Sequence, residues 1–153
     1  MSFSRRFVIS RLFPCFAGGA AVGIIPASAS AITPVSALQK VVYHLSEPTR
    51  ANFVMGNIKN HIAGKGGPDK VKIVLVIHGP ALESFVASKA NPDMKRQIAG
   101  RVGDGVTFVA CGNTMAARKL ALTDMPDGFE IAEEGGVVRI ADLQADGYLY
   151  IRP

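Results

Sequence analysis

The run VKIVLVIH, residues 71–78, constrains this chain more than any other stretch. Apart from Lys72, positions 71–77 are all aliphatic, and most of them are β-branched. A strand with one wet face alternates apolar with polar residues. A run without alternation implies burial on both faces, the habit of a central strand in a parallel sheet. Such a strand needs helices above and below it, which restricts the fold to the α/β type.

The flanking sequence supplies those helices. QKVVYHL (39–45) reads as a first strand, and Phe53, Val54, Ile58 and Ile62 then recur at helical spacing up to Gly64. KGGPD (65–69) marks a turn before the central run. After His78-Gly79-Pro80, ALESFVASKA reads as a short helix, and Asn91-Pro92-Asp93 starts a second, MKRQIAGRV, stopped by Gly103 and Gly105. VTFVAC (106–111) is a third strand, followed by a helix capped at Asn113 or Thr114 and running to about Leu122. GFEIAEE (128–134) is a weaker fourth strand, VVRIADLQADG a last helix, and YLYIRP a final strand packed on both sides. Regular alternation of this kind predicts an α/β sandwich with a mostly parallel sheet and helices on both faces.

The first 31 residues read as an address. Ser4-Arg5-Arg6-Phe7 resembles a twin-arginine export signal, an apolar stretch follows from Leu12 to Ile25, and Ala27-Ser28-Ala29 and Ala29-Ser30-Ala31 fit small-x-small cleavage. Pro14, Gly18, Gly19 and Gly23 interrupt that stretch, so an uncleaved anchor is the weaker alternative and no stable membrane insertion is expected after cleavage. The expectation is a leader over 1–31, a single domain over 32–153 and a periplasmic location. Three of the five net positive charges are Arg5, Arg6 and Arg11 of the leader. The basicity therefore leaves with it, and nucleic acid is not an expected partner.

Cys15 leaves with the leader too, so Cys111 has no intramolecular disulfide partner. An odd cysteine in an oxidising compartment suggests a reactive thiol or an intermolecular bond, against the alternative of a buried, inert side chain. Position favours reactivity. Ligands of open parallel sheets lie outside the carboxyl ends of the strands, and the first three strands end near His44, His78 and Cys111. Neighbouring strands would bring these groups within roughly 5 to 10 Å of one another. Cys111 also precedes a helix start, where amides and dipole favour a thiolate. Gly112 leaves the approach to sulfur open, and Asn113 and Thr114 offer donors. His78 could act on the thiol or simply satisfy loop backbone, and Gly79-Pro80 could form a rigid pocket floor; His44 is equally ambiguous. His61, near a helix end, reads as a surface residue. One Cys and two His 33 and more residues apart match no compact metal motif. With no GxSxG, phosphate-loop or GxGxxG pattern either, no metal and no cofactor are expected.

KVVYHL, IVLVIHGP, VTFVACGNT and LQADGYLYIRP, in that order and spacing, resemble the DsrE/DsrF-like family, in particular its small single-domain branch within the DsrEFH superfamily. The resemblance covers about residues 39–153. It implies a three-layer α/β/α fold with a five-stranded, mainly parallel sheet, and assembly into homo-trimers or hexamers. It also implies sulfur carriage as a persulfide on a cysteine at the end of the third strand, the position of Cys111. His78 and Asn113 are features of the small branch. The family's sulfur-relay members act inside the cell with dedicated partners, whereas this chain carries an export-like leader.

Two functions follow as expectations. The first is a sulfur carrier, at most sulfurtransferase-like, with Cys111 as acceptor, His78 acting on it, and a thiol or persulfide protein as donor or acceptor. His44, Gly79, Pro80, Gly112, Asn113 and Thr114 would line its site. The second is a non-catalytic oligomeric module that binds a small ligand or a partner in the same strand-end pocket.

Overall fold

The computed structural model describes residues 38–153; the expected leader and its cleavage site lie outside the described residues. Five strands form one sheet: β1 (Gln39–Leu45), β2 (Val71–Ile77), β3 (Thr107–Cys111), β4 (Phe129–Ala132) and β5 (Leu149–Ile151). Their order is β4-β3-β2-β1-β5, and every pairing is parallel. The central run takes the position its sequence demands. Ile73 to Ile77 of β2 are at most 2% exposed, covered on both sides.

Strand order decides where the helices go. From β1 to β4 the chain steps steadily toward one edge, so right-handed crossovers keep every connection on one face. That face holds α1 (Ala51–Lys65), α2 (Pro92–Gly103) and the short α3 (Gly112–Ala117). Their apolar stripes pack with Val41, Tyr43, Leu75, Phe108 and their neighbours in the larger core. Phe85, Phe108 and Phe129 meet there with ring centroids 5.1–6.4 Å apart, each buried ring stabilising the fold by about 2–3 kcal/mol. Reaching β5 then requires a return across the whole sheet. The same handedness puts that crossover, α4 (Gly136–Ala145), on the opposite face. Ile140 and Leu143 of α4 pack there on Val42, Val74, Val76 and Val109.

Local chemistry sets the helix ends. Asn91 caps α2 by accepting from the Met94 amide at 2.8 Å, with Pro92 at the first helical position. Gly66 closes α1 in the left-handed region at φ 89°, as the Lys65–Gly66–Gly67 turn requires.

Four local expectations need correction. The stretch after Pro80 is a 3₁₀ helix over Gly79–Phe85, because Val86 turns extended and the Ala87 amide goes to the Asp124 carbonyl at 2.8 Å. The helix after Cys111 ends at Ala117, not near Leu122: Lys119 adopts φ 54° and the Leu120 amide folds back to Met115, as Leu120 turns toward the core. Phe53 of α1 is 53% exposed and lies beside Arg50 instead of joining the buried stripe. The last strand is a sheet edge only partly covered: Ile151 packs against the larger core, but Leu149 and Tyr150 are exposed, while Tyr148 before the strand is buried under α4.

Candidate functional site

From the end of β3 the chain leaves toward the α1 face, and from the end of β4, its neighbour, toward the α4 face. Such topological switch points, at the carboxyl ends of parallel strands, are where α/β sheets bind ligands. Cys111 is the last residue of β3 and pairs with Ala132, the last of β4. Its sulfur therefore lies where the two connections part.

What surrounds that sulfur is polar. The Thr114 hydroxyl and the amides of Gly136, Thr114 and Asn113 all donate to it. Burial pushes the thiol pKa up, but these hydrogen bonds outweigh it and hold the group below its ordinary value. The donors come from the first residues of two helices, α3 and α4, whose partial positive ends also favour the anion. Thr114 is itself oriented. Its oxygen accepts the Gly79 amide at 2.9 Å, which leaves the hydroxyl hydrogen to point at sulfur. Gly79 reaches this position in the left-handed region, φ 59°. Pro80 beside it is exposed, in the first turn of the 3₁₀ helix.

Three glycines let the elements converge. A Cβ on Gly112 would stand 2.8 Å from the Ala132 carbonyl oxygen, so this glycine lets β4 approach; that, more than open access to sulfur, is its role. Gly135, at φ 103° and ψ 156°, has a conformation reserved for glycine, and a Cβ there would strike the Asn113 side chain at 2.5 Å. A Cβ on Gly136 would meet the Cβ atoms of Cys111 and His78 at 3.2 and 3.4 Å. Sequence inspection missed Gly135 and Gly136, although a Gly-Gly pair between a strand end and a helix start is the setting in which backbone amides hold anions.

The histidines meet each other rather than the thiol. Along β1 and β2, Val42, His44, Val74, Val76 and His78 share the α4 face by strand alternation. His44 and His78 stack with centroids 4.7 Å apart and Nε2 atoms 2.5 Å apart. His44 Nδ1 lies 2.6 Å from the Tyr150 hydroxyl on β5. Beyond them Arg152 pairs with Glu47 at 2.5 Å. Burial lowers the pKa of both imidazoles, with further lowering from His78 at His44 and from Arg152 at both, against a smaller upward pull of Glu47. Both are therefore neutral near neutral pH. His78 flanks Gly136 opposite Cys111, but no imidazole contributes to the thiol's hydrogen bonds.

His61 is not a bare surface residue. On the opposite face of the sheet it links the Tyr43 hydroxyl at 2.9 Å and the Gln39 carbonyl oxygen at 3.2 Å. Nε2–H donates to Gln39, so Nδ1 accepts from Tyr43. Among the described residues no group of three or more His, Cys, Asp or Glu is placed to hold a metal. The largest cavity described, about 540 Å³, lies away from Cys111, between α2 and the segment before β4, lined by Lys95, Ile98, Val102, Met125 and Asp127 among others.

Residues 39–153 match the DsrE/DsrF-like family. The chain belongs to that family. Solved structures share the DsrE/DsrF-like fold. A protein of unknown function, MTH1491 from Methanobacterium thermoautotrophicum, aligns with a TM-score of 0.67 and 26% identity, over 75% of this chain and 99% of its own. The ychN protein from E. coli aligns at 0.58 and 14% identity, over 75% and 98%. A conserved protein of unknown function, BT1422 from Bacteroides thetaiotaomicron, aligns at 0.57 and 14% identity, over 78% and 98%. The last two speak for the fold alone. No curated protein matches the sequence.

Proposed function

We propose that the protein carries sulfane sulfur as a persulfide on Cys111. The observation that supports this reading is the ring of four donors around one sulfur atom, set where two helices begin. Such a ring favours the ionised, nucleophilic form of the thiol. In loading, the Cys111 thiolate attacks the terminal sulfur of a donor R–S–SH. The donor's S–S bond breaks, R–S⁻ leaves, and Cys111–S–SH forms with no net oxidation. The same amides then face the new sulfur–sulfur unit, whose terminal sulfur ionises in turn. Discharge is the reverse exchange with an acceptor thiolate, following thiol–disulfide logic.

The proposal extends to setting and assembly. The protein is exported by way of its Arg5-Arg6 leader, acts in the periplasm as residues 32–153 and forms a homo-trimer or hexamer. It exchanges sulfur with a thiol or persulfide protein. The test is intact-mass measurement after incubation with polysulfide. Wild type gains about 32 Da per sulfur and Cys111→Ser gains nothing; equal gain by both, or none by wild type, contradicts the carrier role.

One observation favours the second reading, a binding module with a packed thiol: Cys111 is only 6% exposed. Alkylation separates the two, since a packed thiol reacts slowly at every pH.

A further inference from the structure

We infer that Tyr150, His44 and His78 form a proton relay that carries the acceptor thiol's proton from the Cys111 site to solvent. This rests on the carrier reading for its purpose, though not for its geometry. The three groups lie on three adjacent strands, β5, β1 and β2, and share the face on which Cys111 closes β3. Two contacts connect them without a gap: Tyr150 hydroxyl to His44 Nδ1 at 2.6 Å, and His44 Nε2 to His78 Nε2 at 2.5 Å. One end of the chain is wet, since Tyr150 is 42% exposed. The other end is beside Cys111, since His78 and Cys111 both lie against Gly136.

The chemistry of discharge needs such a device. An acceptor arrives as R–SH and must lose its proton before it can attack. His78 has Nε2 committed to His44, which leaves Nδ1 to take that proton. Nε2–H of His78 then passes its hydrogen to His44 Nε2, and His44 Nδ1–H passes its own to the Tyr150 oxygen, whose hydrogen goes to water. The freed R–S⁻ attacks the outer sulfur of Cys111–S–SH. R–S–SH forms, the bond to Cys111 breaks, and Cys111 returns as the thiolate. Charge and sulfur oxidation state balance; the rings are left in exchanged tautomers, His78 as Nδ1–H and His44 as Nε2–H, and return to the resting pair by proton exchange with water between turnovers. Low imidazole basicity suits this role, because both rings remain empty of the extra proton between turnovers. The charged groups facing the rings are Arg152 and Glu47 from the segments after β5 and β1; Cys111 stands across Gly136, and the first turn of α4 adds no acid.

The experiment has two arms on the full chain. In the first, wild type, Tyr150→Phe and His44→Gln are loaded with polysulfide, and discharge to a small thiol is timed across pH. All three load alike, but near neutral pH the variants discharge about tenfold or more slowly. The gap closes as pH approaches about 8.5, where the thiol ionises unaided. Equal discharge rates, or a defect of constant size at every pH, overturn the relay. Failure of wild type to load overturns the carrier reading instead. The second arm then decides the relay alone: nitrogen NMR should find His78 as the Nε2–H tautomer and His44 as Nδ1–H. An Nε2–H His44, or two rings protonating independently, overturns it.

Discussion

The Gly136 amide donates to the Cys111 sulfur, while a Cβ on Gly136 would stand only 3.2 Å from the Cys111 Cβ. The first turn of α4 and the last residue of β3 are therefore in contact through backbone. The absence of a side chain at position 136 is what brings an amide within reach of sulfur.

Gly136→Ala must move that turn, because Val76 and His78 hem in the same space at 3.3 and 3.4 Å. Losing one hydrogen bond to the charged form raises the thiol pKa. The rate of alkylation against pH measures it. Gly135→Ala, forced into a region closed to other residues, should lower folding stability by about 1–3 kcal/mol in urea denaturation.

Thr114 is tested by a pair of variants. Thr114→Val keeps the shape, removes the hydroxyl from sulfur and leaves the Gly79 amide unpaired. It should raise the thiol pKa and destabilise the fold by about 1–3 kcal/mol. Thr114→Ser keeps the hydroxyl and should restore most of the thiol shift. Alkylation profiles and thermal melts of the two variants report the two effects separately.

Stability should depend on pH in two windows with the same sign. His44 and His78 have folded pKa values below the ordinary 6.5, so the unfolded chain binds more protons between those values and 6.5. Stability is complete above 6.5 and falls as pH drops through the lowered values. Replacing both by Gln should flatten that acid limb. The Cys111 thiol is likewise depressed below 9.0, so wild type should gain stability over Cys111→Ser as pH rises through that window. Urea denaturation across pH checks both.

Much of this architecture was legible because burial writes itself into β2 and β3 as nearly unbroken apolar runs. The convergence of His44, His78 and Cys111 at one end of the sheet followed from reading the last residue of each strand. The contacts among them did not. Which groups pair depends on strand order and on side-chain parity, and these put His78 against His44 while amides took the sulfur. Gly135 and Gly136 carried a local signal, a Gly-Gly pair before a helix, but only the pairing of β4 with β3 brings them to Cys111. Tyr150 was hidden for the same reason, since β5 returns across the sheet to lie beside β1. Helix ends set by tertiary pull, such as Lys119 in the left-handed region, leave no local trace in the residues themselves.

The ionisation of Cys111 tests the central claim most directly. Thiolate absorbance in the ultraviolet, followed across pH on wild type with Cys111→Ser as the blank, gives its pKa. The amide and hydroxyl ring predicts a midpoint clearly below the ordinary thiol value of about 8.5. A midpoint at or above that value would contradict it.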